Sequence, residues 1–179
     1  MIYAVVSLID KETWRGILNL MPESRQTIAR QNETEIIHLS WVVCQQIKEK
    51  KLVKDLQNIS EHQSVLKISS GGMGIFCGEK PKITLNLARN KKIARLHSKI
   101  WNKCQPHMTG IKQYYSPDLW MPHITLIQDG FSKQDYAEFL NKSIYTPFEI
   151  EIPITNLAVL FQDDKNAGML THFDFKKEP

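Results

Sequence analysis

Two short apolar runs, "IIHLSW" over 36–41 and "PHITLI" over 122–127, each carry one histidine and, two residues on, one hydroxyl. Side chains alternate along a strand. His38 and Ser40 therefore share one face, and Ile37, Leu39 and Trp41 share the other. His123 and Thr125 likewise oppose Ile124 and Leu126. A strand of this kind cannot be core on both sides, because an imidazole and a hydroxyl buried without partners are costly. Each strand must pack its apolar face and turn its polar face to an opening. A chain that does this twice is constrained to a sheet with a polar groove.

The rest of the chain predicts elements that supply such a sheet. Residues 2–9 read as a first strand, and Asp10 caps a helix over "KETWRGILNLM" that Pro22 ends or restarts. Residues 35–43 read as the second strand, and "CQQIKEKKLVKDLQNI" as an amphipathic helix. "SVLKISSGGMGIFCGEKPKITLNLA" reads as two or three strands. Its "GGMG" lacks the Gly-Lys-Ser/Thr ending and the following helix of a phosphate loop, so it reads as a strand turn. "KKIARLHSKIWNKC" is a helix with Ile93, Leu96 and Ile100 inward and a basic row of Lys91, Arg95 and Lys99 outward. A loop over 104–120 leads to the strand "WMPHITLIQ". Ser132 caps a short helix, "KQDYAEFLNK", and the tail from Thr146 to Phe175 alternates as strands. The order β-α-β-α-β-β-α-β-α-β-β-β predicts an α+β fold with mixed or antiparallel sheets, and 179 residues fit a single domain over 1–179.

Three well-separated cysteines, Cys44, Cys77 and Cys104, suit a reducing compartment and exclude a disulfide framework or a cysteine zinc site. No apolar run is long enough for a membrane span and no basic leader precedes the first strand, so the expected location is the cytoplasm. The net charge of +4 is compatible with a phosphate-bearing substrate.

Two imidazoles and two hydroxyls facing one groove suit phosphodiester chemistry. One histidine takes a proton from the attacking oxygen and the other gives one to the leaving oxygen, while hydroxyls donate to the non-bridging oxygens. His-x-Ser/Thr occurs three times where chance placement gives about one. The third, His107 in "QPHMTGIKQ", lies in a Pro/Gly loop with no apolar strand around it. His62, His97 and His172 read as surface or structural. Two histidines beside Ser and Thr are too few good ligands for zinc, so no metal and no cofactor are expected. Tyr114, Tyr115 and Trp120, just upstream of the second motif, are candidates to stack on a base, and packing is the alternative reading. Trp41 reads as core.

These residues also carry a resemblance. "YYSPDLWMPHITL" resembles the second signature of the 2H phosphoesterase superfamily, which includes the 2′-5′ RNA ligase-like proteins and in which aromatic-x-Pro-His-x-Thr-Leu is frequent. "IIHLSWVV" resembles the first signature, with Ser where Thr is common, and the two histidines are 85 positions apart. The order of elements resembles the family over nearly the whole chain, through the terminal "THFDF". "HLSWVVCQQI" departs from it in lacking a following Phe-Leu-Gly. The resemblance implies a bilobal, pseudo-twofold fold, with two sheets and flanking helices around a central cleft. It implies catalytic His38 and His123 and phosphate-binding Ser40 and Thr125; Tyr115 and Trp120, among the stacking candidates upstream of the second motif, are the expected substrate contacts. The implied activity is that of a metal-independent phosphodiesterase acting on a 2′,3′-cyclic phosphate or a 2′,5′-linked nucleotide or RNA end. The expected partner is that nucleotide or RNA end, with no membrane and a monomeric protein. The alternative is a nucleotide- or RNA-binding module on the same scaffold without turnover.

Overall fold

The computed structural model describes residues 1–21, 36–127 and 132–176. Among these residues, ten strands and four helices run in the order β1 (Ile2–Leu8), α1 (Lys11–Asn19), β2 (His38–Cys44), β3 (Gln46–Ile47), α2 (Glu49–Glu61), β4 (Leu66–Phe76), β5 (Lys82–Leu87), α3 (Lys91–Cys104), β6 (Met108–Thr109), β7 (His123–Ile127), α4 (Lys133–Ser143), β8 (Glu151–Ile154), β9 (Asn156–Gln162) and β10 (Ala167–Asp174). Apart from the two-residue strands β3 and β6, this is the predicted order. Helix starts follow their caps: the Asp10 carboxylate accepts from Thr13 N–H at 2.8 Å, the Asn90 side-chain oxygen from Lys92 and Ile93 N–H, and Ser132 forms a reciprocal capping box with Asp135. Each such cap is worth about 1 kcal/mol. No helix among the described residues is long and apolar enough to cross a membrane.

Eight strands form one antiparallel sheet in the order β10-β9-β1-β2-β7-β5-β4-β8. The sheet divides at its centre into two four-stranded halves. Each half contributes a strand-helix-strand unit, β1-α1-β2 in one and β5-α3-β7 in the other, and each unit ends in a histidine strand. The halves meet at one Cα pair, Leu39 with Ile124. The expected bilobal arrangement is thus built as two halves of one curled sheet, with a second, two-stranded sheet of β3 and β6 beside it.

Leu39, Ile124 and their neighbour Leu85 are fully buried. The helix α3 packs on β2 and β4 and against α2, which also packs on β9 and β10. Trp41 stacks against His97 of α3, so the helices cover the face of β2 that carries Leu39 and Trp41. The polar face is left on the other side.

Two expectations change. The helix predicted from Cys44 begins at Glu49, because Cys44 completes β2 and Gln46–Ile47 pairs with Met108–Thr109. The segment 64–88 holds two strands, and Gly71, Gly72 and Gly74 of "GGMG" lie inside β4 rather than at a turn, while Gly78 lies in the connection to β5. Gly72, at φ +85°, sits at a register shift between Ser70 and Met73 inside β4, a bulge that only glycine enters without strain. Pro22 lies outside the described residues.

Candidate active site

The Leu39–Ile124 pair fixes the arrangement of the two motifs. Counting outward from it sets His38 abreast of Thr125 and Ser40 abreast of His123, all four on the face opposite the pair. The motifs therefore do not confront each other across a groove as separate walls. They lie side by side on neighbouring strands, each imidazole next to the other motif's hydroxyl.

Both imidazoles are held in the same way. His38 Nδ1 lies 2.6 Å from the Ile36 carbonyl, and His123 Nδ1 lies 2.8 Å from the Met121 carbonyl, each two residues back along the chain. A carbonyl only accepts, so each Nδ1 carries the proton and each Nε2 is left as the working nitrogen. Burial lowers both pKa values from the ordinary histidine value, and the two carbonyls partly oppose it. The positive field of Lys82 lowers both further, and His123 adds to the effect on His38. The two imidazoles are thus close enough for the charge of one to bear on the other.

The neighbouring strand β5 adds groups that the motif reading missed. Asn86 is paired with His123 and Thr84 with Thr125, which puts both on the site face. The Thr84 hydroxyl donates to the Asn86 amide oxygen at 3.1 Å. A Cβ at Gly74 of β4 would lie 2.7 Å from that amide, so the glycine makes room for it. Lys82 is two residues before Thr84. Phe76, opposite Lys82 on β4, sets its ring 4.8 Å from that of His123 at a 49° tilt. The signal was available: Lys82, Thr84 and Asn86 alternate with Ile83, Leu85 and Leu87, as polar and apolar residues do in the histidine strands.

Tyr115 and Trp120 require a correction. They are 6% and 2% exposed, so neither offers a face to a base. Trp120 lies in a buried aromatic stack, 4.0 Å from His97 at 6° and 5.2 Å from Trp41 at 24°. Its indole N–H donates to the Ser40 carbonyl at 3.0 Å. Burial pushes the Tyr115 phenol far up, and the Tyr115 phenol is hydrogen-bonded to the Ser40 side chain. Trp120 thus holds the backbone of the first motif and Tyr115 its hydroxyl. Tyr114 is the exposed one of the three.

The remaining histidines are accounted for elsewhere. His107 is engaged by Asp55, Nε2 to Oδ2 at 2.9 Å. His97 is fully buried, and its Nε2–H donates to the Trp41 carbonyl at 3.1 Å; burial lowers its pKa to about 4. His62 and His172 are exposed. Lys91, Arg95 and Lys99 form the expected exposed row. Among the described residues no three His, Cys, Asp or Glu side chains are grouped to hold a metal ion.

The sequence matches no protein-family model and no curated protein. The fold does match solved structures over nearly its whole length. TT0787 of Thermus thermophilus is 15% identical and covers 100% of both chains at a TM-score of 0.63. A phosphoesterase is 13% identical over 97% of each chain at 0.53. E. coli LigT complexed with NADP+ is 12% identical over 97% of this chain and 96% of its own at 0.55, and LigT has also been solved with ATP, phosphate and 3′-AMP. This chain has the fold of the 2H phosphoesterases, as the paired histidine strands led one to expect.

Proposed function

We propose that the chain is a phosphodiesterase that opens a 2′,3′-cyclic phosphate, or cleaves a 2′,5′-linked nucleotide or RNA end, by paired histidine acid–base catalysis. The observation that carries this reading is the identical clamp on the two imidazoles. Each Nδ1–H is committed to a backbone carbonyl, and each Nε2 is free to take or give a proton beside the other motif's hydroxyl.

The phosphate lies between His38 and His123. One Nε2, neutral, takes a proton from water as the oxygen attacks phosphorus. The other, protonated, gives its proton to the departing ribose oxygen. Ser40 and Thr125 donate to the non-bridging oxygens as charge builds there, and the positive field of Lys82 favours the same charge. The steps need no cation as Lewis acid. The nucleotides in the LigT structures support a nucleotide as the substrate class for a site of this shape.

The test is a panel of 2′,3′-cyclic nucleotides, 2′,5′- and 3′,5′-linked dinucleotides and cyclic dinucleotides, incubated with excess chelator and resolved by chromatography. The expected result is turnover of a 2′,3′-cyclic or 2′,5′-linked member that persists with chelator. Binding without turnover would establish the non-catalytic module instead. Activity that appears only with added Mg²⁺, Mn²⁺ or Zn²⁺ would overturn the chemistry.

A further inference from the structure

Trp120 is bonded to the first motif and lies three residues before His123 of the second. Its indole N–H holds the Ser40 carbonyl at 3.0 Å, one residue beyond the single pair that joins β2 to β7. Its chain neighbour Met121 supplies the carbonyl that holds His123 Nδ1 at 2.8 Å. Behind it, His97 stacks at 4.0 Å, and the same His97 donates to the Trp41 carbonyl. A buried ring packed against two other rings has little freedom to move.

The segment leading to Trp120 is itself pinned. Lys112 N–H donates to the Val43 carbonyl at 3.0 Å, the Arg89 guanidinium donates to the Pro117 carbonyl, and Trp120 N–H donates to the Ser116 carbonyl at 2.9 Å. Just past it, Leu87 N–H donates to the Pro122 carbonyl at 2.9 Å. Any displacement of Trp120 is therefore passed to Ser40 on one side and to the Met121 carbonyl on the other.

Resting on the phosphodiesterase reading of the site, we infer that Trp120 is a positioning residue: a cross-brace that sets the first motif relative to the second by holding the Ser40 carbonyl while its neighbour's carbonyl orients His123. It contributes to the reaction through those two groups and touches no substrate. A structural tryptophan of the core would stabilise the fold and leave the imidazoles as they were. A cross-brace, when loosened, changes the geometry of the pair.

Trp120→Phe removes the N–H and keeps a ring in the stack. The ring nitrogens of His38 and His123 are followed by ¹⁵N spectroscopy in the unliganded protein, with Leu119→Ala as the exposed control from the same segment. In W120F both histidines are expected to change their ring-nitrogen signals while thermal melting stays cooperative, and L119A is expected to leave them in place. On a substrate that the parent turns over, kcat of W120F is expected to fall about tenfold to a hundredfold with KM within a few-fold, the pattern of misplaced reacting groups. Superimposable histidine spectra, or an unchanged kcat, would overturn the role. If W120F does not fold, the parent decides the matter. Inorganic phosphate is titrated while the indole N–H signals of its four tryptophans are followed. The Trp120 signal is expected to move with the same midpoint as the two histidines, and the Trp14 signal to stay. Histidines that move while Trp120 does not would refute the brace. A parent with no turnover on any substrate would sink the phosphodiesterase reading alone, since the W120F spectra still answer for the brace.

Discussion

The two histidine strands are alike in what holds them and unlike in what surrounds them. On each, Nδ1 donates to the carbonyl two residues back, and the next residue is the fully buried partner at the centre of the sheet. Around His123, however, Phe76 and Asn86 stand beside the ring. Beside His38, on the outer side, is β1, whose paired residues are the apolar Leu8 and Val6, and behind it is the aromatic stack. The symmetric part is what proton transfer requires. The asymmetric part is what a substrate with two different ends requires. On the proposed reading, a pseudo-twofold scaffold keeps the acid–base pair and gives its recognition groups to the β7 side.

The comparison makes graded predictions. His38→Ala and His123→Ala should each lose about 10² to 10⁴-fold in kcat/KM, the usual worth of one proton-transfer group. The double variant should lose less than the product, because both act in one transition state. Steady-state kinetics on the panel substrate checks this, and a histidine whose removal costs only a few-fold would break the symmetry at its root.

Ser40→Ala and Thr125→Ala should follow, at about tenfold to a hundredfold, because each removes one donor to the phosphoryl oxygens. The pH profile should keep its shape in both. An unequal pair would show that the phosphate leans toward one motif.

Lys82 sharpens the asymmetric half. The kcat/KM profile of the parent should be a bell centred below the ordinary histidine value of 6.5, because burial and the Lys82 charge lower both pKa values. A cation nearby disfavours a second cation, so Lys82→Met should raise both values and move the bell to higher pH. It should also cost about tenfold in kcat/KM, the lower end of what a cleft's field contributes to capturing a charged substrate. A bell that stays in place would show that the Lys82 charge does not reach the pair.

His107→Ala should do least, leaving turnover within a few-fold, because His107 is spent on Asp55. A loss like that of His123→Ala would mean that the wrong triplet had been assigned to the second motif.

Much of this was legible in the residues, for definable reasons. Alternation around His38 and His123 gave both strands and the faces of their side chains, because period two is a local property. Asp10 and Ser132 mark helix starts by a bond closed within three residues. The failures are where a side chain is claimed by something distant. Tyr115 and Trp120 have the chemistry of stacking residues, but a buried His97 and the Ser40 strand claim them from 23 to 80 positions away. The start of α2 moved because Gln46 and Ile47 find partners at Thr109 and Met108. Asn86 and Lys82 show the opposite case. Their alternation was plain in the sequence, and only the register with β7 gave it a meaning.

The seam between β2 and β7 has a mechanical consequence. Neighbouring strands elsewhere in the sheet are riveted along ladders of four to seven pairs, whereas the two halves are joined by one. A plate with a single rivet at its midline is most compliant there, and the two imidazoles straddle that line. On the proposed reading, an oxyanion gripped from both sides acts as a further rivet. Bound phosphate should therefore slow amide exchange along β2 and β7 on both sides of the seam more than at the outer strands β8 and β10.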